Sequence, residues 1–205
     1  MWELVKAGGW LMLPLILCSI FMIAITIERF IRLKRSLILP KQLQVQVGKN
    51  VNSVVAALKK SDQLQNTTIG RIFLAGFQNR TQSEHYVRAQ MEATASQEIA
   101  YLEKNINFLG TLSAVAPLLG LLGTVLGIIE SFLVIDLGTT SNPTLMIPGI
   151  SKALITTAAG MFIAVPALFA YRYFQRLVQE YTAELEQQAT LFHAALFCKD
   201  DENDG

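Results

Sequence analysis

Three stretches of this chain are long, apolar and uncharged, and they restrict its fold more than any other feature. They run from Gly8 to Ile27 (GGWLMLPLILCSIFMIAITI), from Ile106 to Ile129 (INFLGTLSAVAPLLGLLGTVLGII) and from Ala153 to Tyr171 (ALITTAAGMFIAVPALFAY). About 20 apolar residues in a helix cross about 30 Å of hydrocarbon, so each stretch predicts a transmembrane helix. Composition agrees: 52% of the 205 residues are hydrophobic and 16% charged, too apolar for a soluble domain of this size. The net charge of +1, with no basic tract, gives no footing for nucleic acid as a partner.

Charge fixes the expected topology. No Lys or Arg occurs between Lys104 and Lys152, a gap that holds the second span and a polar turn. Basic residues are retained on the cytoplasmic side, so the turn is expected outside. Arg29, Arg32, Lys34 and Arg35 behind the first span outweigh Lys6 before it, and Arg172 and Arg176 follow the third. The reading is an outer N-terminus over residues 1–7, a first span over 8–28, a cytoplasmic loop over 29–104 and a second span over 105–135. An outer turn over 136–147, a third span over 148–171 and a cytoplasmic tail over 172–205 complete it. The first stretch is longer than a signal-peptide core and no small-residue cleavage site follows it, so it reads as a retained span. Cys18 falls in that span and Cys198 in the tail, which predicts no disulfide between them.

The cytoplasmic parts read as helical. A connector around Pro40 and Gly48 precedes two short amphipathic helices, Val51 to Lys60 and Thr67 to Asn79. From Ser83, the apolar positions Val87, Met91, Ala95, Ile99, Leu102, Ile106 and Leu109 recur at spacings of three and four, which predicts one unbroken helix entering the second span. Leu177, Tyr181, Leu185, Phe192 and Leu196 extend the third span in the same way to about Phe197, a helix about 65 Å long. Residues 199–205 are acidic and read as a frayed end.

The second and third spans carry the informative chemistry. Ser113, Ala116, Gly120, Thr124, Gly127 and Ser131 share one face of the second. Gly149, Ala153, Thr156 or Thr157, Gly160, Ala164 and Ala167 make the matching stripe on the third. Small residues let membrane helices approach closely, which is the plain packing reading of both stripes. Two charges raise the alternative of a lined pathway. Glu130 and Lys152 stand inside otherwise uncharged runs, and an ionisable group at membrane depth usually faces a bundle interior or a watery cavity. Counted from the turn near Thr140, the two lie at similar depth on antiparallel helices and are expected to pair. Lys152 reaching to headgroups is the competing reading. A ring of copies with the second and third spans inward and the first at the lipid edge follows from the stripes, because Leu11, Leu15, Phe21 and Ile25 give the first span none.

The run APLLGLLGTVLGIIESF (Ala116 to Phe132), a short turn, and PGISKALITTAAGMFIAVPALFAY (Pro148 to Tyr171) resemble the paired signature of the MotA/TolQ/ExbB proton-channel family. The three-span plan and the IERF exit of the first span place the resemblance on the ExbB/TolQ side, over nearly the whole chain. It implies an all-α integral membrane protein whose second and third helices extend into the cytoplasm, in a homo-oligomeric, five-fold ring. Implied partners are a dimer of single-span ExbD/TolR-like subunits in the central pore, whose intramembrane aspartate carries the proton, and a TonB/TolA-like periplasmic spanner. The resemblance implies the bacterial inner membrane as location, proton-motive force as energy source and no cofactor. It makes Thr124 and Thr157 the pathway threonines; from the stripes, Thr156 is a neighbouring candidate and Gly120, Gly127 and Gly160 are helix-contact residues. Lys152 departs from the pattern, since well-known ExbB members have a glutamate there; Glu130 is then a carboxylate kept near the pore but moved to the second span.

A non-conducting membrane scaffold is the competing class, and it predicts stripes used only for helix contacts. An enzyme has little to stand on. His85 and His193 are solitary, and no Ser or Cys has a visible base nearby.

Overall fold

The computed structural model describes residues 8–44, 51–136 and 143–197, and every regular element among them is helical. In chain order these are α1 (Met12–Arg32), α2 (Arg35–Ile38), α3 (Val51–Lys60), α4 (Asp62–Gln65), α5 (Thr68–Gln78), α6 (Glu84–Glu103), α7 (Ile106–Asp136) and α8 (Ile147–Phe197). Short 3-10 turns occupy Lys41–Leu43 and Pro143–Met146. The segments expected for residues 1–7, for the connector about Gly48, for most of the turn near Thr140 and for the tail with Cys198 lie outside the described residues.

Three helical stretches are long and apolar enough to cross a membrane, with mean hydropathy of 2.0 to 2.2 in their best windows. Few residues in those windows, 17% to 33%, are buried by the protein itself. Phe162 is 82% exposed and Phe169 74%. Continuous apolar surface of this kind requires hydrocarbon or further protein against it.

The chain forms two compact units. The first comprises Met1–Arg29 and Asn105–Phe174, the second Phe30–Lys104 and Gln175–Gly205. In the first unit, Met12 and Leu15 of α1 pack with Ala116 of α7 and with Ile163 and Ala164 of α8. Cys18 lies against that cluster and is not in a disulfide. The second unit has its own core. Ile69, Ile72 and Phe73 of α5, Val87 and Met91 of α6, and Val178, Leu185 and Phe192 of α8 are buried. Phe73 stacks on Phe192 with centroids 4.1 Å apart. Thr67 caps α5 by accepting from the Gly70 amide at 3.2 Å, and Tyr181 donates from its phenol to the Leu33 carbonyl at 3.1 Å. Ion pairs Arg71–Glu98 (2.8 Å) and Arg35–Glu184 (2.9 Å) lie at the surface, where such pairs contribute about 1 kcal/mol at most.

Three sequence expectations need correction. The helix of the first span starts at Met12, not Gly8, because Gly9 holds φ at 70°, which a right-handed helix cannot use. In the part of the third helix beyond its apolar span, Val178 is buried where the stripe predicts Leu177. The helix expected to run unbroken from Ser83 into the second span stops at Lys104 and restarts at Ile106. Asn105 adopts φ 65°, a left-handed conformation that ends the hydrogen-bond ladder. Its side-chain amide donates to Glu28 Oε2 at 3.2 Å, which anchors the start of α7 to the end of α1. Replacing Asn105 with valine is expected to cost about 1 to 3 kcal/mol, while Asn105→Gly keeps the break. Thermal unfolding in mild detergent reads the difference; equal midpoints for the two variants would remove the conformational requirement.

Candidate functional site

The second and third spans meet along a seam without large side chains. Ala116, Gly120, Gly123, Gly127 and Ser131 of α7 are buried, as are Ala153, Thr156, Gly160, Ala164 and Ala167 of α8. The backbones approach so closely that a β-carbon at Gly120 would stand 3.0 Å from the Thr156 carbonyl oxygen and 3.1 Å from Thr157 Cα. One at Gly160 would stand 2.6 Å from the Ala116 carbonyl oxygen, and one at Gly127 2.8 Å from Ala153 Cβ. Gly123, absent from the predicted stripe, faces Thr156 directly: a β-carbon there would overlap Thr156 Oγ1 and stand 2.6 Å from its Cβ. Each residue turns a helix by about 100°, so positions 116, 120, 123 and 127 cluster within about 60° and define the seam's centre. Thr124 falls outside that cluster, at its edge.

The same geometry separates the three threonines. Thr156 is central and buried, and its hydroxyl donates to the Ala153 carbonyl of its own helix at 2.8 Å. Thr124 and Thr157 are half-buried at one edge of the seam, where their hydroxyls hydrogen-bond to each other. Thr157 Oγ1 also reaches the Gly120 carbonyl across the seam at 3.0 Å, and Thr124 Oγ1 lies 3.5 Å from the Ala153 carbonyl. Ser131 bonds the Gly127 carbonyl at 2.8 Å and the Met146 carbonyl at 3.3 Å, so polar bonding continues to the end where the hairpin turns.

Glu130 and Lys152 come together. Lys152 Nζ donates to Glu130 Oε2 at 2.8 Å and to Oε1 at 3.0 Å. By the same count of about 100° per residue, this pair stands on the edge of the seam opposite to Thr124 and Thr157. The first span is on the ion-pair side. Its Gly9 lies against the Lys152 side chain, and its Met12 and Leu15 pack with Ile163, Leu119 and Ala159. α1, the carboxylate and the ammonium thus share one flank of the seam, and the threonine pair occupies the other.

The threonine flank of the two spans carries no carboxylate among the described residues. Hydroxyls donate and accept hydrogen bonds but do not ionise near neutral pH. That flank can line a polar path and order water, but it cannot store a proton. His85 and His193 lie elsewhere. His193 Nε2 is 3.4 Å from the Glu84 carbonyl and its ring rests on Phe197. No group of three metal-ligating side chains occurs among the described residues.

Comparison with known proteins agrees with this architecture. The description "MotA/TolQ/ExbB proton channel family" applies to a match over residues 64–187, which includes the whole threonine seam from Ala116 to Ala167. The chain is 39% identical over 169 residues to the ExbB-like 1 biopolymer transport protein of Synechocystis sp., covering 80% of this chain and 66% of that protein. It is 30% identical over 204 residues to ExbB-like 3 of the same organism, covering 91% and 94%. Against the Tol-Pal system protein TolQ of Haemophilus influenzae it is 31% identical over 168 residues, covering 74% and 73%. By the extent of these matches this chain belongs to the MotA/TolQ/ExbB proton channel family, on its ExbB/TolQ-like branch.

Proposed function

We propose that the chain is an ExbB/TolQ-like subunit of a bacterial inner-membrane motor that turns proton-motive force into mechanical work on a periplasm-spanning or outer-membrane system. The observation that carries this reading is the threonine flank: Thr124 and Thr157 bonded to each other, half-open, turned away from α1, and without a carboxylate of their own. A path with polar walls and no titratable group needs a carrier from outside the chain. In this reading an ExbD/TolR-like single-span dimer supplies it as an intramembrane aspartate, inside a homo-oligomeric, five-fold ring whose first spans face lipid. The N-terminus is periplasmic and the C-terminus cytoplasmic, and a TonB/TolA-like protein receives the work. One proton crossing about 180 mV releases about 4 kcal/mol, enough to bias a switch between two discrete packings.

A scaffold reading has one observation in its favour, since both hydroxyls already have partners within the hairpin. Reconstitution separates the two. The chain is purified from membranes with a short single-span protein carrying an intramembrane aspartate, and vesicles are prepared with both proteins or with this chain alone. The motor reading expects co-purification in fixed stoichiometry and proton uptake only when both are present. Stable co-purification without any proton uptake would favour the scaffold.

A further inference from the structure

The ion pair stands on the flank of the seam opposite to Thr124 and Thr157, and its surroundings give it a different task. Lys152 is 27% exposed, so its stem is largely covered, whereas Glu130 is 51% exposed. What covers the stem is the turn that enters the first span. Gly9, with φ 70°, packs so closely that a β-carbon there would overlap Lys152 Cε and stand 2.9 Å from Nζ. Any side chain at Gly9 would therefore be strained in conformation and would displace the lysine stem. Gly8 continues the contact toward Thr156, whose Cγ2 would be 3.5 Å from a β-carbon at Gly8. The turn is closed by the Met12 amide donating to the Gly9 carbonyl at 3.1 Å.

We propose that Lys152 is a positioning residue that ties the ends of all three spans together where the hairpin turns: its ammonium holds α7 through Glu130, and its methylene stem holds α1 beneath the Gly8–Gly9 turn. Three facts converge on it. The pair is bidentate at 2.8 and 3.0 Å, the turn has glycine at position 9 where a β-carbon would strike the stem, and the tie lies on the α1 flank. In hydrocarbon no hydrophobic force draws α1 to the hairpin and close packing associates the helices instead, so the fit of the stem under the glycine turn adds contact where Met12 and Leu15 gain little over lipid. Charge and stem act on different neighbours, and they are separable. The tie lies on the α1 side and makes no contact with the Thr124–Thr157 pair on the other. The proposal does not depend on the motor reading, because the distances are measured whether or not protons flow.

The test is spin-label distance measurement on the full chain in lipid nanodiscs, with labelled chains diluted into unlabelled ones so that only distances within one chain are read. One label pair at the exposed positions Leu13 and Leu154 reports α1 against α8, and a pair at Phe132 and Leu154 reports α7 against α8. The unsubstituted chain is expected to give one narrow peak for each pair. Lys152→Met keeps the stem and removes the charge: the α7–α8 peak is expected to broaden while the α1–α8 peak stays narrow. The exchange Glu130→Lys with Lys152→Glu restores the charge pair but shortens the group under the turn, so the α7–α8 peak should return and the α1–α8 peak should be lost. Gly9→Ala should broaden the α1–α8 peak alone. Narrow peaks for both pairs in Lys152→Met, or an exchanged chain that keeps its α1–α8 peak, would overturn the proposal.

Discussion

Gly160→Leu is expected to prevent the folded protein from accumulating in membranes. At Gly160 the neighbours of an added side chain are backbone, the Ala116 carbonyl oxygen at 2.6 Å and Gly120 Cα at 3.0 Å, and neither can rotate aside as a side chain would. A leucine must therefore part α7 and α8. The separation breaks the Thr157 to Gly120 bond and the packing on both sides of it. Overpacking a core typically costs about 1 to 3 kcal/mol. Here the obstruction is main chain on a seam with no slack, so the loss should be at the top of that range or beyond it. Gly160→Ala should give a graded loss, since one methyl meets the same two atoms. The yield of folded protein extracted in mild detergent, and its unfolding midpoint, measure both. Normal yield and midpoint for Gly160→Leu would mean that the two spans are not in close contact at this level.

Thr124→Val combined with Thr157→Val is expected to do the reverse, leaving assembly intact while proton-driven activity is lost. Valine fills nearly the same volume as threonine, and interhelical hydrogen bonds in membranes contribute only about 0.6 kcal/mol on average. The hairpin, held by its glycine contacts, should therefore persist. What disappears is the only pair of side-chain hydroxyls on the flank away from α1 at that level among the described residues. Water would lose its partners there, and a carboxylic acid facing the seam would lose a polar environment in which to release its proton. The two variants thus separate packing from passage: Gly160 removes the wall, and the threonine pair removes only its chemistry.

Much of the fold could be read from periodicity. Charge-free windows place the spans, and the spacing of Val51 to Lys60 and Thr67 to Asn79 gives the elements that became α3 and α5. The described part of α8 extends to Phe197, as far as the apolar stripe of the third helix reaches. The break at Asn105 was hidden for a physical reason. Leu102, Ile106 and Leu109 are all buried, so the three-and-four spacing continues across the break as though the helix did not stop. Only the identity of the residue gave a sign, because asparagine tolerates the left-handed conformation better than most.

The seam was legible in composition but not in its finer layout. Ala116, Gly120 and Gly127 define a face on which position 123 falls at the centre, and Gly123 is indeed buried there. The resemblance drew attention to Thr124 instead. A count of about 100° per residue would have placed Thr124 and Thr157 at one edge and Glu130 and Lys152 at the other. The level of the charged pair followed from counting residues outward from the turn. Its flank did not, because depth along a helix says nothing about rotation around it. The role of Gly9 had no signal in sequence at all, since two adjacent glycines before an apolar run are equally consistent with any loose entry into a helix.

The most direct test of the account is proton uptake by vesicles that contain the assembled complex with its single-span partner, comparing the unsubstituted chain with the Thr124→Val/Thr157→Val double variant at matched protein and subunit ratio. The account predicts that the variant assembles normally and that its uptake falls to the level of vesicles lacking the partner. Uptake equal to that of the unsubstituted chain would contradict it and leave the two threonines as packing residues.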